Sequence, residues 1–95
     1  MADVFTEVMH EKSDHKVKFY GLSTCGWCRK ARSFLDENGI SYELCYVDQL
    51  EGDERKAILE EVSKLNPRKS FPTIVVDEDE VLIGFNEDRY MEVLL

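Results

Sequence analysis

The segment Tyr20-Gly21-Leu22-Ser23-Thr24-Cys25-Gly26-Trp27-Cys28-Arg29-Lys30 constrains the fold of this chain more than any other stretch. It follows an alternating apolar run carrying Val17 and Phe19, and it leads into a helical pattern marked by Cys28, Ala31, Phe34 and Leu35. Two thiols therefore sit where a strand turns into a helix. Unpaired N–H groups and the positive end of the helix dipole both favour an anion at such a place. A cysteine there loses its proton more readily than a free thiol, and the thiolate is the nucleophile. The chemistry this implies is thiol–disulfide exchange, with Cys25 attacking and Cys28 resolving.

The rest of the chain supplies elements to hold that turn. Residues 1–15 read as an N-terminal extension, either a short helix or a frayed end, because Val4, Phe5, Val8 and Met9 give a weak helical spacing without a clear cap. Residues 16–95 read as one domain. A strand is expected at 17–20, then a helix at 26–38 stopped by Asn38-Gly39. A second strand follows at 42–47, and a second amphipathic helix at 53–65 with Ala57, Ile58, Val62 and Leu65 on one face, ended by Asn66-Pro67. Strands at 72–76 and 81–83 flank an acidic turn at 77–80, and Asn86 caps a last helix carrying Tyr90, Val93 and Leu94. This β-α-β-α-β-β-α order predicts an α/β protein with a mixed four-stranded sheet and helices on both faces.

Charge and cysteine usage exclude several classes. A net charge of −8 argues against nucleic acid as a partner. No apolar run has the length to span a bilayer, and the first residues lack the apolar core of a secretory signal. Three cysteines are an odd number and too few for a disulfide-stapled secreted fold, so a reducing cytoplasm is expected. The charges are unevenly spread. Segments 16–35 and 66–76 contain no Asp or Glu, yet they hold Lys16, Lys18, Arg29, Lys30, Arg32, Arg68 and Lys69, seven of the twelve basic residues. These are either ordinary solvated faces or a cationic rim around the thiols, which would lower the Cys25 pKa and attract an anionic thiol.

A C-x-x-C pair also opens many zinc sites, but a closed zinc site needs four ligands. Only Cys45, His10 and His15 remain as candidates and no second pair exists, so redox chemistry is favoured and no metal is expected. Two further motifs carry chemistry. In Ser70-Phe71-Pro72-Thr73, Pro72 is either a plain strand-entry proline or the second residue of a cis bond that exposes the Phe71 backbone to an extended substrate. In Ile83-Gly84-Phe85-Asn86-Glu87-Asp88, Gly84 is either a plain turn glycine or, placed before a helix N-terminus, a source of N–H groups for a carboxylate, and Asp88 either complements the helix dipole or holds an ammonium group. Trp27 is expected to be a partly exposed contact for partners.

With these three motifs in this order, the chain resembles the glutaredoxin family, of thioredoxin-like architecture, from about Val17 to Leu95. The resemblance implies a nucleophilic Cys25, a resolving Cys28, a cis Pro72, and a glutathione-like thiol held by the Phe71 backbone and Asp88, near Gly84 and Phe85. The chain has Leu22 where glutaredoxins commonly place a lysine, and Gly26-Trp27 in place of Pro-Tyr. Gly84-Phe85 is closer to the Ser-Gly-Phe of NrdH-type redoxins. Arg68, Lys69 or Lys18 would then supply the missing charge, for glutathione or for another small anionic thiol. The expected activity is a disulfide reductase with no tightly bound cofactor, acting as a monomer on disulfide-containing proteins and reduced by a small thiol. The alternatives are an iron–sulfur carrier built on thiolates from two chains, or an NrdH-like electron donor reduced by thioredoxin reductase.

Overall fold

A computed structural model of the chain describes residues 4–95. Its elements, in chain order, are β1 (Thr6–Val8), β2 (Val17–Gly21), α1 (Gly26–Glu37), β3 (Tyr42–Tyr46), α2 (Gly52–Leu65), β4 (Thr73–Val76), β5 (Glu80–Ile83) and α3 (Glu87–Leu94), with one 3-10 turn at Val47–Gln49 after β3. The sheet order is β1-β3-β2-β4-β5. Strands β2 and β3, joined through α1, are parallel, whereas β2/β4, β4/β5 and β1/β3 are antiparallel.

Alternation along β2 explains the layering. Val17 and Phe19 point to one face and join Ala31, Phe34 and Leu35 of α1 and Tyr90 and Leu94 of α3 in the larger core. Tyr20 points to the other face and packs with Cys45, Ile58, Val62 and Val75 beneath α2. A strand buried on both sides can only be central, which places the end of β2 in the middle of the molecule. There Gly21 has no room for a side chain, because a Cβ would lie 2.6 Å from the ring of Phe19, itself fully buried. Helix α1 ends as its sequence predicts. Gly39 takes φ +67°, its N–H binds Asp36 O at 3.1 Å, and Ile40 N–H binds Leu35 O at 2.9 Å.

The strand count differs from expectation. The sheet has five strands rather than four, because Thr6–Val8 pairs with the outer edge of β3 in the register Thr6↔Leu44 and Val8↔Tyr42. The helical spacing of Val4, Phe5, Val8 and Met9 is overridden by that free edge. Val8 packs against the larger core while Val4 and Phe5 reach the smaller one. The chain then clamps onto the α1–β3 turn through Lys12 N–H to Gly39 O and Ser41 N–H to Lys12 O, both at 2.8 Å.

Between α2 and β4, Asn66 organises the loop leading to Pro72. It is fully buried, and its Nδ2 donates to Ser70 O, Ser70 Oγ and Thr73 Oγ1 at 3.0–3.1 Å, while its Oδ1 accepts from Arg68 N–H. Removing the amide breaks four hydrogen bonds and leaves the buried Thr73 hydroxyl without its donor, so Asn66→Ala is expected to cost about 2–3 kcal/mol. The urea unfolding midpoint measures this, with the slope unchanged.

Candidate active site

Cys25 is the N-cap of α1. Its backbone is extended, with φ −88° and ψ 121°, and its Sγ accepts the Cys28 N–H at 3.3 Å. A thiolate here fills the position that a serine or aspartate oxygen usually takes. The approach to it is fixed by the 3-10 turn, whose Asp48 carboxylate accepts Ser23 N–H at 2.9 Å and Ser23 Oγ–H at 2.5 Å. The Cys25 N–H in turn binds Leu22 O at 3.2 Å.

The two thiols differ sharply. Cys25 is partly exposed, whereas Cys28 is buried at 2% exposure and accepts Leu22 N–H at 3.5 Å. Desolvation pushes Cys25 up, but hydrogen bonds from the Cys28 thiol and from the Cys28 and Trp27 N–H groups outweigh it and hold Cys25 below the ordinary thiol value. Desolvation raises Cys28, the hydrogen bond it gives Cys25 raises it further, and it is pushed up to about 12. Cys45 is also buried and pushed up to about 11, first by desolvation and then by the charge of Glu61. One thiol of three is thus both reachable and readily ionised.

The Phe71–Pro72 peptide bond is cis, and Phe71 O lies 3.9 Å from Cys25 Sγ. Gly84 sits at φ +74° beside this loop, but its N–H is donated to Pro72 O at 2.9 Å and its carbonyl accepts Tyr90 Oη–H at 2.5 Å. Its backbone braces the Pro72 loop rather than offering a free donor. Phe85 is packed edge-on against Tyr90, with ring centroids 5.1 Å apart. Asn86 caps α3 by accepting Arg89 N–H at 3.1 Å, and Asp88 is exposed in the first turn of that helix. Trp27 is 58% exposed, and Lys30 Nζ lies 4.7 Å from its ring centroid.

The cations divide between separate surfaces. Lys69, with φ +54°, lines a groove along α2 with Arg55, Lys56 and Ser63, and Arg68 is exposed in the same loop. Lys18 lies beside Tyr20 and Glu61 and over the Phe5 ring. None of these lines the cleft that contains Cys25. That cleft, about 310 Å³, opens on the α1 side and is lined by Arg29 and Arg32. The acid-free run from 16 to 35 predicts Arg29 and Arg32 beside the thiols, and the structure brings both into the Cys25 cleft, whereas no local pattern marks Asn66 or Asp48 as supports of the site. His10 and His15, the candidate metal ligands, bind separate carboxylates, Asp36 at 2.8 Å and Asp77 at 2.7 Å.

An α/β fold with a five-stranded sheet and a C-x-x-C pair at the N-terminus of a helix, beside a cis proline, defines a thioredoxin-like scaffold. The glutaredoxin family model matches residues 17–81, and the chain belongs to the glutaredoxin family. It is similar to Glutaredoxin 1 of Rickettsia bellii, 32% identical over 76 residues that cover 80% of this chain and 74% of the relative. Among solved structures it is similar to the glutaredoxin of Methanosarcina mazei Go1, with TM-score 0.85, 36% identity, and coverage of 98% of this chain and 90% of the other. It is also similar to methanoredoxin of Methanosarcina acetivorans, with TM-score 0.80, 39% identity and 83% coverage of each chain. Membership of this family, together with Cys25 and Cys28, suggests a thiol oxidoreductase. Among the described residues no helix is long and apolar enough to cross a membrane.

Two alkylation outcomes follow from the thiol geometry. The rate of Cys25 alkylation by iodoacetamide rises with pH as the thiolate forms, with a midpoint below that of a free thiol, about 8.5. In Cys28→Ala the thiol donor to Cys25 is gone, so the midpoint moves up and alkylation at pH 6 slows. Mass spectrometry of the labelled protein measures both.

Proposed function

We propose that this protein is a dithiol thiol–disulfide oxidoreductase that reduces protein disulfides or mixed disulfides. The observation that carries this reading is the contrast between two thiols three residues apart, one reachable and easily ionised, the other buried with its pKa pushed up to about 12. In the first step the Cys25 thiolate attacks one sulfur of a disulfide. A bond forms between Cys25 Sγ and that sulfur while the substrate S–S bond breaks, and the leaving half departs as a thiolate that takes a proton from water. In the second step Cys28, as thiolate, attacks Cys25 Sγ. The Cys25–Cys28 disulfide forms as the bond from Cys25 to the substrate sulfur breaks, and the second half leaves as a thiolate that takes up a proton in place of the one Cys28 released, so the substrate gains two electrons and two protons.

The order of these steps follows from what raises Cys28. Desolvation acts on it throughout, but the hydrogen bond to Cys25 and the charge of Cys25 also raise it. Both vanish once Cys25 is tied up in a mixed disulfide. The buried thiol then ionises more easily at the moment it is needed. Substrate backbone in extended form is expected to run beside Phe71, whose carbonyl lies close to Cys25 Sγ. An external donor restores the dithiol, either glutathione or another small anionic thiol, or a thioredoxin reductase. A reducing cytoplasm suits three unpaired thiols.

Cys25→Ser is expected to lose all turnover of small disulfides in a coupled assay. Cys28→Ser is expected to stop after the first exchange, and intact-mass spectrometry then finds the protein heavier by one substrate half. Full turnover by Cys25→Ser would overturn the proposal.

A further inference from the structure

We propose that Arg29 reads an anionic group on the disulfide substrate, in a subsite on the α1 flank of Cys25. This rests on the disulfide-exchange reading above and assigns a specificity-determining residue to it. The cleft that holds Cys25 is lined by Ser23, Arg29, Arg32, Ser33 and Tyr46, and at about 310 Å³ it has room for a small organic fragment. Arg29 lies one helical turn beyond the nucleophile, its N–H bound to Cys25 O at 3.1 Å. A carboxylate a few bonds from the attacked sulfur is therefore within reach of its guanidinium.

The two arginines of the cleft are in different states. Arg32 is committed: its Nε binds Tyr42 Oη at 2.8 Å, its Nη1 binds Tyr46 Oη at 3.1 Å, and Asp36 lies 3.9 Å away. It forms a fixed cationic wall. Arg29 is exposed and, among the described residues, its side chain has no ion pair, hydrogen bond or ring contact. The one acid lining the cleft, Asp36, is turned toward Arg32 and other donors and makes no contact with Arg29. Its Oδ1 takes His10 Nε2 and Tyr42 Oη–H, each at 2.8 Å. The other cations near the thiols are engaged or placed elsewhere, Lys30 over Trp27 and Lys69 in the groove along α2. Arg29 is thus the unpaired cation sharing a cleft with the reactive sulfur, at the positive end of a helix dipole that adds to its field.

An exposed pair of this kind gives a selectivity of a few-fold, sensitive to salt. The test uses the pre-reduced protein in single turnover, followed by fluorescence of Trp27, the only tryptophan. Two disulfides of similar size are compared, dianionic 3,3′-dithiodipropionate and neutral bis(2-hydroxyethyl) disulfide. Taking the ratio of their rates within one variant cancels any change in thiolate fraction. The ratio is expected to fall about fivefold in Arg29→Gln and further in Arg29→Glu, and to shrink toward the Arg29→Gln value when wild type is measured at 1 M salt. A ratio unchanged in both variants overturns the proposal, as does a ratio that falls only in the Arg68→Gln/Lys69→Gln double variant. If the reduced wild type consumes neither disulfide, the disulfide-exchange reading itself fails, which is distinct from a reactive protein that ignores Arg29.

Discussion

One sulfur accepting one backbone hydrogen bond, Cys25 Sγ from Cys28 N–H, is the interaction on which the rest of the site depends. It caps α1, which stabilises the helix, and it favours the ionised form of the thiol, which makes the sulfur reactive. Structure and chemistry here share one bond. The central strand β2 delivers the chain to this point, and Gly21 lets it arrive, since any larger residue would strike Phe19. The Ser23–Asp48 contacts then hold the short loop between Gly21 and Cys25.

The charge of the whole molecule is a poor guide to the field at the thiol. A chain of net charge −8 presents a cleft walled by Arg29 and Arg32, because α1 carries its cations early and its first acid, Asp36, late. Asp36 also lines the cleft, where it binds His10, Tyr42 and Arg32 and offsets part of that charge, and it leaves Arg29 uncontacted. On the opposite flank, the Pro72 loop is braced by Gly84 and Asn66, leaving Phe71 O near the sulfur. The two flanks thus differ in kind: one presents backbone and the other fixed charge.

Local features were the ones readable from the residues alone. The strand-to-helix turn, the Asn38-Gly39 stop and the Asn86 cap each depend on a few neighbouring residues whose chemistry admits few alternatives. What escaped was set by distant partners. Thr6–Val8 becomes a strand because β3, more than thirty residues later, offers an open edge, and no local pattern in so short a segment announces it. Asn66 ends α2 as its sequence predicts, and its burial and its bonds to Ser70 and Thr73 also make it the centre of a loop. The charge runs predict Lys69 beside the thiol, but its left-handed backbone belongs to a loop that places it beside α2. Charge counted along the chain does not say which surface the charge will occupy.

The family model spans 17–81, but the folding unit is wider. Cutting the chain at those limits would delete α3, whose Tyr90 is 1% exposed against Phe34, and would take Leu82 out of the core beside it. At the other end it would remove the Lys12 bridge that clips the start of β3, and His10 with it. A minimal fragment defined by homology would therefore keep both thiols and lose the hydrocarbon behind them, exposing the underside of α1 to water. The segment the family model spans is narrower than the unit that holds its shape, whereas the Methanosarcina mazei structure matches 98% of the chain.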